Sequence, residues 1–176
     1  EEMLSFGAEL VLIDGSLDRR ASAAPFVSDG TVLATGAALA RSMDLVIDKT
    51  LHIIKNYSIP QINRGEIRDI AAEIIEEGRT GLIKRDLSVT YVETLTSLRS
   101  GSIIAEALTD DTEYVVLSGS ATADTLKDII QNAKNSITII IKDGTRVFIP
   151  PRELNLLEKM GLKLNVVDPI NIIAVT

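Results

Sequence analysis

The chain contains no cysteine and no tryptophan, and a single histidine, His52, among its 176 residues. Without cysteine there are no disulfides, no thiolate zinc site and no cysteine nucleophile. With one histidine, a His-based triad or metal centre must use His52 or does not exist. Aromatic residues make up only 3% of a chain that is 45% hydrophobic, so its core must be built from Ile, Leu, Val and Ala, as buried parallel strands are. No apolar run approaches the roughly 18 to 20 residues of a membrane-spanning helix. Glu1-Glu2 does not resemble the start of a signal peptide, so a cytoplasmic location is expected. The 18 basic side chains are outnumbered by 25 acidic ones, for a net charge of -7, which argues against a nucleic-acid partner. Also missing is the phosphate-loop pattern G-x-x-x-x-G-K-[ST], so the chain by itself is not expected to work as a P-loop nucleotidase.

What is present is an alternation of short Val- and Ile-rich runs with helical patterns. Strands are expected at Glu9–Ile13, Thr31–Ala34, Gly81–Lys84, Ser88–Val92, Tyr114–Leu117, Ile137–Lys142, Arg146–Ile149, Lys163–Val167 and Asn171–Val175. After Ser42, a natural N-cap, Met43, Val46, Ile47, Leu51 and Ile54 form one apolar helical face. A second helix carries Ile67, Ile70, Ala71, Ile74 and Ile75 and stops at Gly78. A third spans Thr122–Lys134, a fourth is bracketed by Pro151 and Gly161, and Ser102–Leu108 is also expected to be helical. Lys-Asp-Gly-Thr at Lys142–Thr145 carries the two-residue hairpin signal between β-branched runs. The expected fold class is therefore α/β, a largely parallel sheet flanked by helices with an antiparallel hairpin near Lys142–Thr145. A weak boundary at Gly78–Gly81 divides residues 1–78 from a second small α/β lobe at 79–176. The helical pattern at Glu1 and the apolar strand ending at Thr176 read as cut ends.

Three expected strands finish alike, with a polar residue, a glycine and a small residue: Asp14-Gly15-Ser16, Thr35-Gly36-Ala37 and Ser118-Gly119-Ser120. Were the strands parallel, Asp14, Thr35 and Ser118 would share the carboxyl edge, where open α/β sheets bind ligands. Gly15, Gly36 and Gly119 would allow close backbone approach to an anion. Such pairs also end strands that bind nothing. Asp14 is the sharpest candidate, since a strand-end carboxylate can hold Mg²⁺ or its waters. Asp18, Arg19 and Arg20 would add a carboxylate and a phosphate clamp, or form a solvated turn. Asp48 and His52, spaced i and i+4, read as a surface contact rather than a dyad. The acidic run Glu73–Gly78 reads as a solvated helix face, and Asp168–Asn171 as a turn. No Ser or Thr has a recognisable base at useful spacing.

Asp-Gly-Ser-Leu-Asp-Arg-Arg at Asp14–Arg20, the Ser/Ala-rich stretch through Pro25, Ser28-Asp29, Leu33–Ala37, Lys142–Thr145 and the Pro169–Val175 run together resemble a known family. It comprises the P-loop proteins of amino-acid fermentation gene clusters, accessory to coenzyme B12-dependent lysine or ornithine aminomutases and components of their reactivating system. The resemblance implies that the phosphate loop lies on a segment before this one, that Asp14 completes the nucleotide site, and that ATP and Mg²⁺ are cofactors of the full-length protein, the ion held through water by Asp14. Gly15 is carried over with Asp14; Asp18, Arg19 and Arg20 match the motif more loosely. The implied partner is the aminomutase or its reactivating system. Two readings of other classes stand beside it: a non-catalytic α/β module that binds a small molecule or anion, and a homodimer-forming structural module.

Overall fold

The computed structural model describes residues 2–15, 20–93 and 100–176. Its centre is a five-stranded sheet in the order β3-β2-β4-β6-β8, made of β2 (Thr80–Lys84), β3 (Val89–Val92), β4 (Thr112–Leu117), β6 (Thr138–Ile141) and β8 (Lys163–Val166). β4, β6 and β8 run parallel, with Tyr114 opposite Thr138 and Ile141 opposite Val166. β2 is antiparallel to both β3 and β4. The sheet is therefore mixed, not largely parallel, although the α/β class holds. The parallel part arises where helices carry the chain back across the sheet: α4 (Ser100–Ala107) precedes β4, α5 (Ala123–Asn132) joins β4 to β6, and α6 (Pro151–Lys159) leads into β8. The antiparallel part arises where the connection from β2 to β3 is too short to cross.

Period-two alternation gives each strand two apolar faces. Leu82, Val115, Leu117, Ile139, Ile141 and Val166 pack on one side against Ile104 of α4, Leu126 and Ile129 of α5 and Leu154 and Leu157 of α6. Ile83, Val116, Ile140 and Val167 pack on the other against Ile67, Ala71 and Ile74 of α3 (Gly65–Glu76). Each fully buried Ile or Leu contributes about 1.5 to 3 kcal/mol of transfer free energy, which a core with so few aromatics must gather from many residues. Local signals bound the helices that follow α1 (Glu2–Ser5). The Ser42 hydroxyl accepts from Leu45 N to start α2 (Met43–Tyr57), and Thr122 accepts from Thr125 N to start α5. Gly78 follows α3 with φ +69°, the left-handed stop the pattern predicts.

Outside this sheet β1 (Thr31–Leu33) pairs in parallel with β9 (Ile172–Val175), so residues near the two ends of the chain meet. Ala23, Tyr57 and Ile170 are buried beneath this ribbon with Leu33, Ile53 and Ile172 packed on them. A second ribbon pairs β5 (Ala121–Thr122) with β7 (Val147–Phe148), again in parallel. The helix α3 covers a sheet whose strands begin after Gly78, and Gln61 bridges to Val166. Among the described residues no helix is long and apolar enough to cross a membrane.

Three expectations are corrected. Glu9–Ile13 is not a strand: among the described residues the segment pairs with no strand, and Leu10 and Leu12 are 75% and 87% exposed. Lys142–Thr145 is not a hairpin. The Asp143 carboxylate accepts the Thr145 backbone N–H at 2.8 Å and its hydroxyl, opening a 3-10 turn at Gly144–Arg146. Gly144 does not take the positive φ that the hairpin turn requires, and β7 goes to β5 instead of back to β6. The antiparallel hairpin is β2–β3, turned at Leu87 with φ +68° and tied by Asp86 to the N–H and hydroxyl of Ser88. Finally, α2 does not bury its whole apolar stripe. Val46 and Tyr57 are buried, whereas Met43, Ile47 and Leu51 are exposed.

Candidate functional site

The described residues enclose an open groove of about 1880 Å³. Its walls are the Ile13–Gly15 segment, the 3-10 turn Arg20–Ala23, β1 and its continuation to Thr35, one side of α2, and the Thr145–Pro151 stretch between β6 and α6. Asp14, Gly15, Arg20 and Thr35 all line it. They do so without sharing a sheet edge. Asp14 follows an unpaired segment, Thr35 follows a ribbon strand, and Ser118 ends β4 of the central sheet. Ser118, Gly119 and Gly36 do not line the groove, although Ser120 does. Asp18 and Arg19 lie outside the described residues.

Thr35 is held firmly. Its N–H donates to the Thr176 carbonyl at 2.8 Å, and its hydroxyl meets the Thr50 hydroxyl at 2.6 Å, which in turn donates to the Val46 carbonyl within α2. The β1–β9 pairing and α2 thus fix the same wall. Lys49, one residue away, reaches the Leu39 carbonyl at 2.8 Å and braces the loop between Thr35 and α2.

The groove collects cations in a chain of net charge -7. Arg20, Lys49 and Arg146 line it with His52, and among the described residues of the lining Asp14 is the one acidic side chain. Among the described residues neither Arg20 nor Arg146 enters an ion pair. His52 is half-buried on α2. Burial lowers its pKa below the ordinary histidine value and the Arg20 guanidinium lowers it further, against a hydrogen bond to the Ile149 backbone that raises it. The ring is therefore neutral near pH 7. Its Nε2 faces the Asn56 side-chain amide nitrogen at 3.3 Å, with the donor and acceptor roles set by the ring tautomer. His52 takes these partners rather than pairing with Asp48. Tyr57, one turn on, has its pKa raised by burial, and its hydroxyl points to the Arg20 carbonyl at 3.5 Å.

Arg146 and Asp143 escape the sequence pattern, because Lys142–Thr145 reads there as a hairpin turn. A signal was nonetheless present: Ile139–Ile141 followed by Lys142-Asp143-Gly144-Thr145 is a fourth apolar run ending in a polar-Gly pair. It ends the middle strand of the parallel trio, so its loop sits at the carboxyl edge where the general rule for open sheets places ligands. Compared with protein-family models, with curated proteins and with solved structures, the chain matches none.

Proposed function

We propose that this chain is part of a nucleotide-dependent, ATPase-like accessory protein that supports a coenzyme B12-dependent amino-acid aminomutase. The observation that carries the reading is the convergence of Asp14, Gly15, Arg20 and Thr35 on one groove with Lys49 and Arg146. These residues come from distant parts of the sequence, and the first three belong to the motif that carries the family resemblance. Their chemistry fits the phosphate end of a nucleotide: a carboxylate suited to a Mg²⁺ ion through its waters, and guanidinium groups suited to phosphate oxygens. The phosphate-cradling loop is not part of this sequence, and catalysis by this chain alone is not proposed. Exposed Met43, Ile47 and Leu51 on α2, with Val32, Ile173 and Val175 on the β1–β9 ribbon, support an apolar contact with a partner protein.

A second reading is favoured by the cationic lining itself. In it the groove is a non-catalytic anion-binding site in which Arg20, His52 and Arg146 hold a phosphate-bearing metabolite, and Asp14 is incidental. Calorimetric titration with ATP, with and without Mg²⁺, separates the two. Under the first reading Mg²⁺ strengthens binding and Asp14→Asn removes that gain. Under the second, Arg146→Gln weakens binding while Asp14→Asn and Mg²⁺ leave it unchanged. If the aminomutase and this protein, mixed at high concentration, elute separately on size exclusion with and without Mg-ATP, the accessory role is wrong.

A further inference from the structure

The seam between the end of α2 and the loop after β6 buries two oxygen atoms that no donor among the described residues reaches. Asp143 is fully buried; one carboxylate oxygen takes both Thr145 hydrogen bonds, and the other, Oδ2, has no hydrogen-bond partner. Asn56 is 2% exposed, and its Oδ1 also has none. The contacts bring the two residues to one seam. Gly144 lies so close to α2 that a Cβ there would run into the Asn56 carbonyl oxygen and sit 3.0 Å from Tyr57 Cα. From the same helix, His52 Nε2 lies 3.3 Å from the Asn56 amide nitrogen, which leaves Asn56 Oδ1 to face the seam as an acceptor.

The charge balance of this seam is one-sided. A buried carboxylate without a counter-charge is costly. Here it stands beside the C-terminal end of α2, where the helix dipole and the last carbonyls, that of Asn56 among them, add further negative potential. Among the described residues no ion pair involves Asp143. Its neighbour Lys142 holds its ammonium over the Phe26 ring, 5.3 Å from the centroid. A bridging water would supply two donors and no charge; a cation supplies charge and accepts lone pairs from both oxygens.

We propose that a monovalent alkali cation binds in this seam, coordinated by Asp143 Oδ2 and Asn56 Oδ1, and ties α2 to the central strand of the parallel trio. The donor set selects the ion. One carboxylate oxygen and neutral amide oxygen supply a single negative charge from oxygen alone, which suits K⁺ or Na⁺ better than Mg²⁺ or a transition metal. Among the described residues no three His, Cys, Asp or Glu side chains gather to hold a more highly charged ion. The ion would brace the groove wall that carries His52, Thr145 and Arg146 without itself contacting a groove ligand.

The test is thermal unfolding of the full chain in KCl, NaCl and choline chloride at matched ionic strength and pH. KCl or NaCl is expected to raise the melting temperature over choline by about 2 to 4 °C. Asp143→Asn should erase that difference, and Asn56→Asp, which adds a second carboxylate, should enlarge it. Should Asp143→Asn fail to fold, thallium NMR of the unaltered protein supplies the same decision: a bound Tl⁺ resonance displaced by KCl supports the site. Equal melting temperatures in all three salts together with no bound Tl⁺ resonance would overturn it and leave the two oxygens to a water molecule.

Discussion

Replacing Gly144 by alanine tests how closely the loop after β6 is pressed against α2. The added methyl would overlap the Asn56 carbonyl oxygen and lie 2.9 Å from the Asn56 carbonyl carbon and 3.0 Å from Tyr57 Cα. All three obstacles are backbone atoms, so no rotamer change relieves them; the last turn of α2 or the loop must move. Because Gly144 has no positive φ, alanine suffers no conformational penalty, and stiffening the unfolded chain returns about 0.4 to 1 kcal/mol. Overpacking of this kind costs about 1 to 3 kcal/mol, and contact with backbone puts this site at the upper end. A net loss of about 2 to 2.5 kcal/mol follows, a fall of roughly 4 to 10 °C in melting temperature for a chain of this length. Gly119→Ala is the control, since nothing lies within 4 Å of a Cβ there and its φ is not positive. Urea denaturation should separate the two midpoints at equal slope. If Gly144→Ala proves as stable as Gly119→Ala, the seam is looser than described, and the cation proposal loses its geometric basis.

Other consequences follow from single residues. Ile140→Ala empties a fully buried position against α3 and should cost about 2 to 5 kcal/mol by chemical denaturation, whereas Ile173→Ala on the exposed face of β9 should change stability by less than about 0.5 kcal/mol. Thr122→Ala removes the hydroxyl that caps α5 and should cost about 1 kcal/mol; no loss would mean that the ribbon at Ala121–Thr122 holds the helix start without the cap. His52 has a folded pKa below its unfolded value, through burial first and Arg20 second. The unfolded chain then binds the proton more tightly, so stability must fall as pH drops from about 6.5 through the folded pKa and must be insensitive to this group above that window. His52→Gln should flatten the acid side of the stability profile relative to the parent; superimposable pH profiles would show that His52 is not held neutral by its site.

Much of the fold is legible in local chemistry and little of the site is. Ser42, Thr122, Pro151, Gly78 and Gly161 mark helix ends because capping and left-handed turns depend on neighbours a few residues away. The strand at Glu9–Ile13 fails because a short apolar run reports only that a segment can pair, and no neighbour in the described fold pairs with it. The turn after β6 fails because Asp-Gly serves equally as a hairpin corner and as a side-chain-tied turn, and the Asp143 to Thr145 bond decides between them. On α2 the apolar stripe indicates an inward face that is largely exposed, while Thr50 is engaged by Thr35 beyond β1 and the Asn56 backbone is pressed by Gly144. Asp14, Arg20 and Thr35 meet in the groove, but by way of an irregular segment and the pairing of β1 with β9, which no local pattern encodes. Arg146 joins them only through the same turn.

The central claim, that this groove takes the phosphate end of a nucleotide through Asp14-held Mg²⁺ and the arginines, is tested most directly by calorimetric titration of the chain with Mg-ATP alongside Asp14→Asn and Arg146→Gln. The account predicts weak, Mg²⁺-dependent binding in the parent, loss of the Mg²⁺ dependence in Asp14→Asn and a further drop in affinity in Arg146→Gln. Absence of binding in the parent, or binding that neither substitution alters, would contradict it.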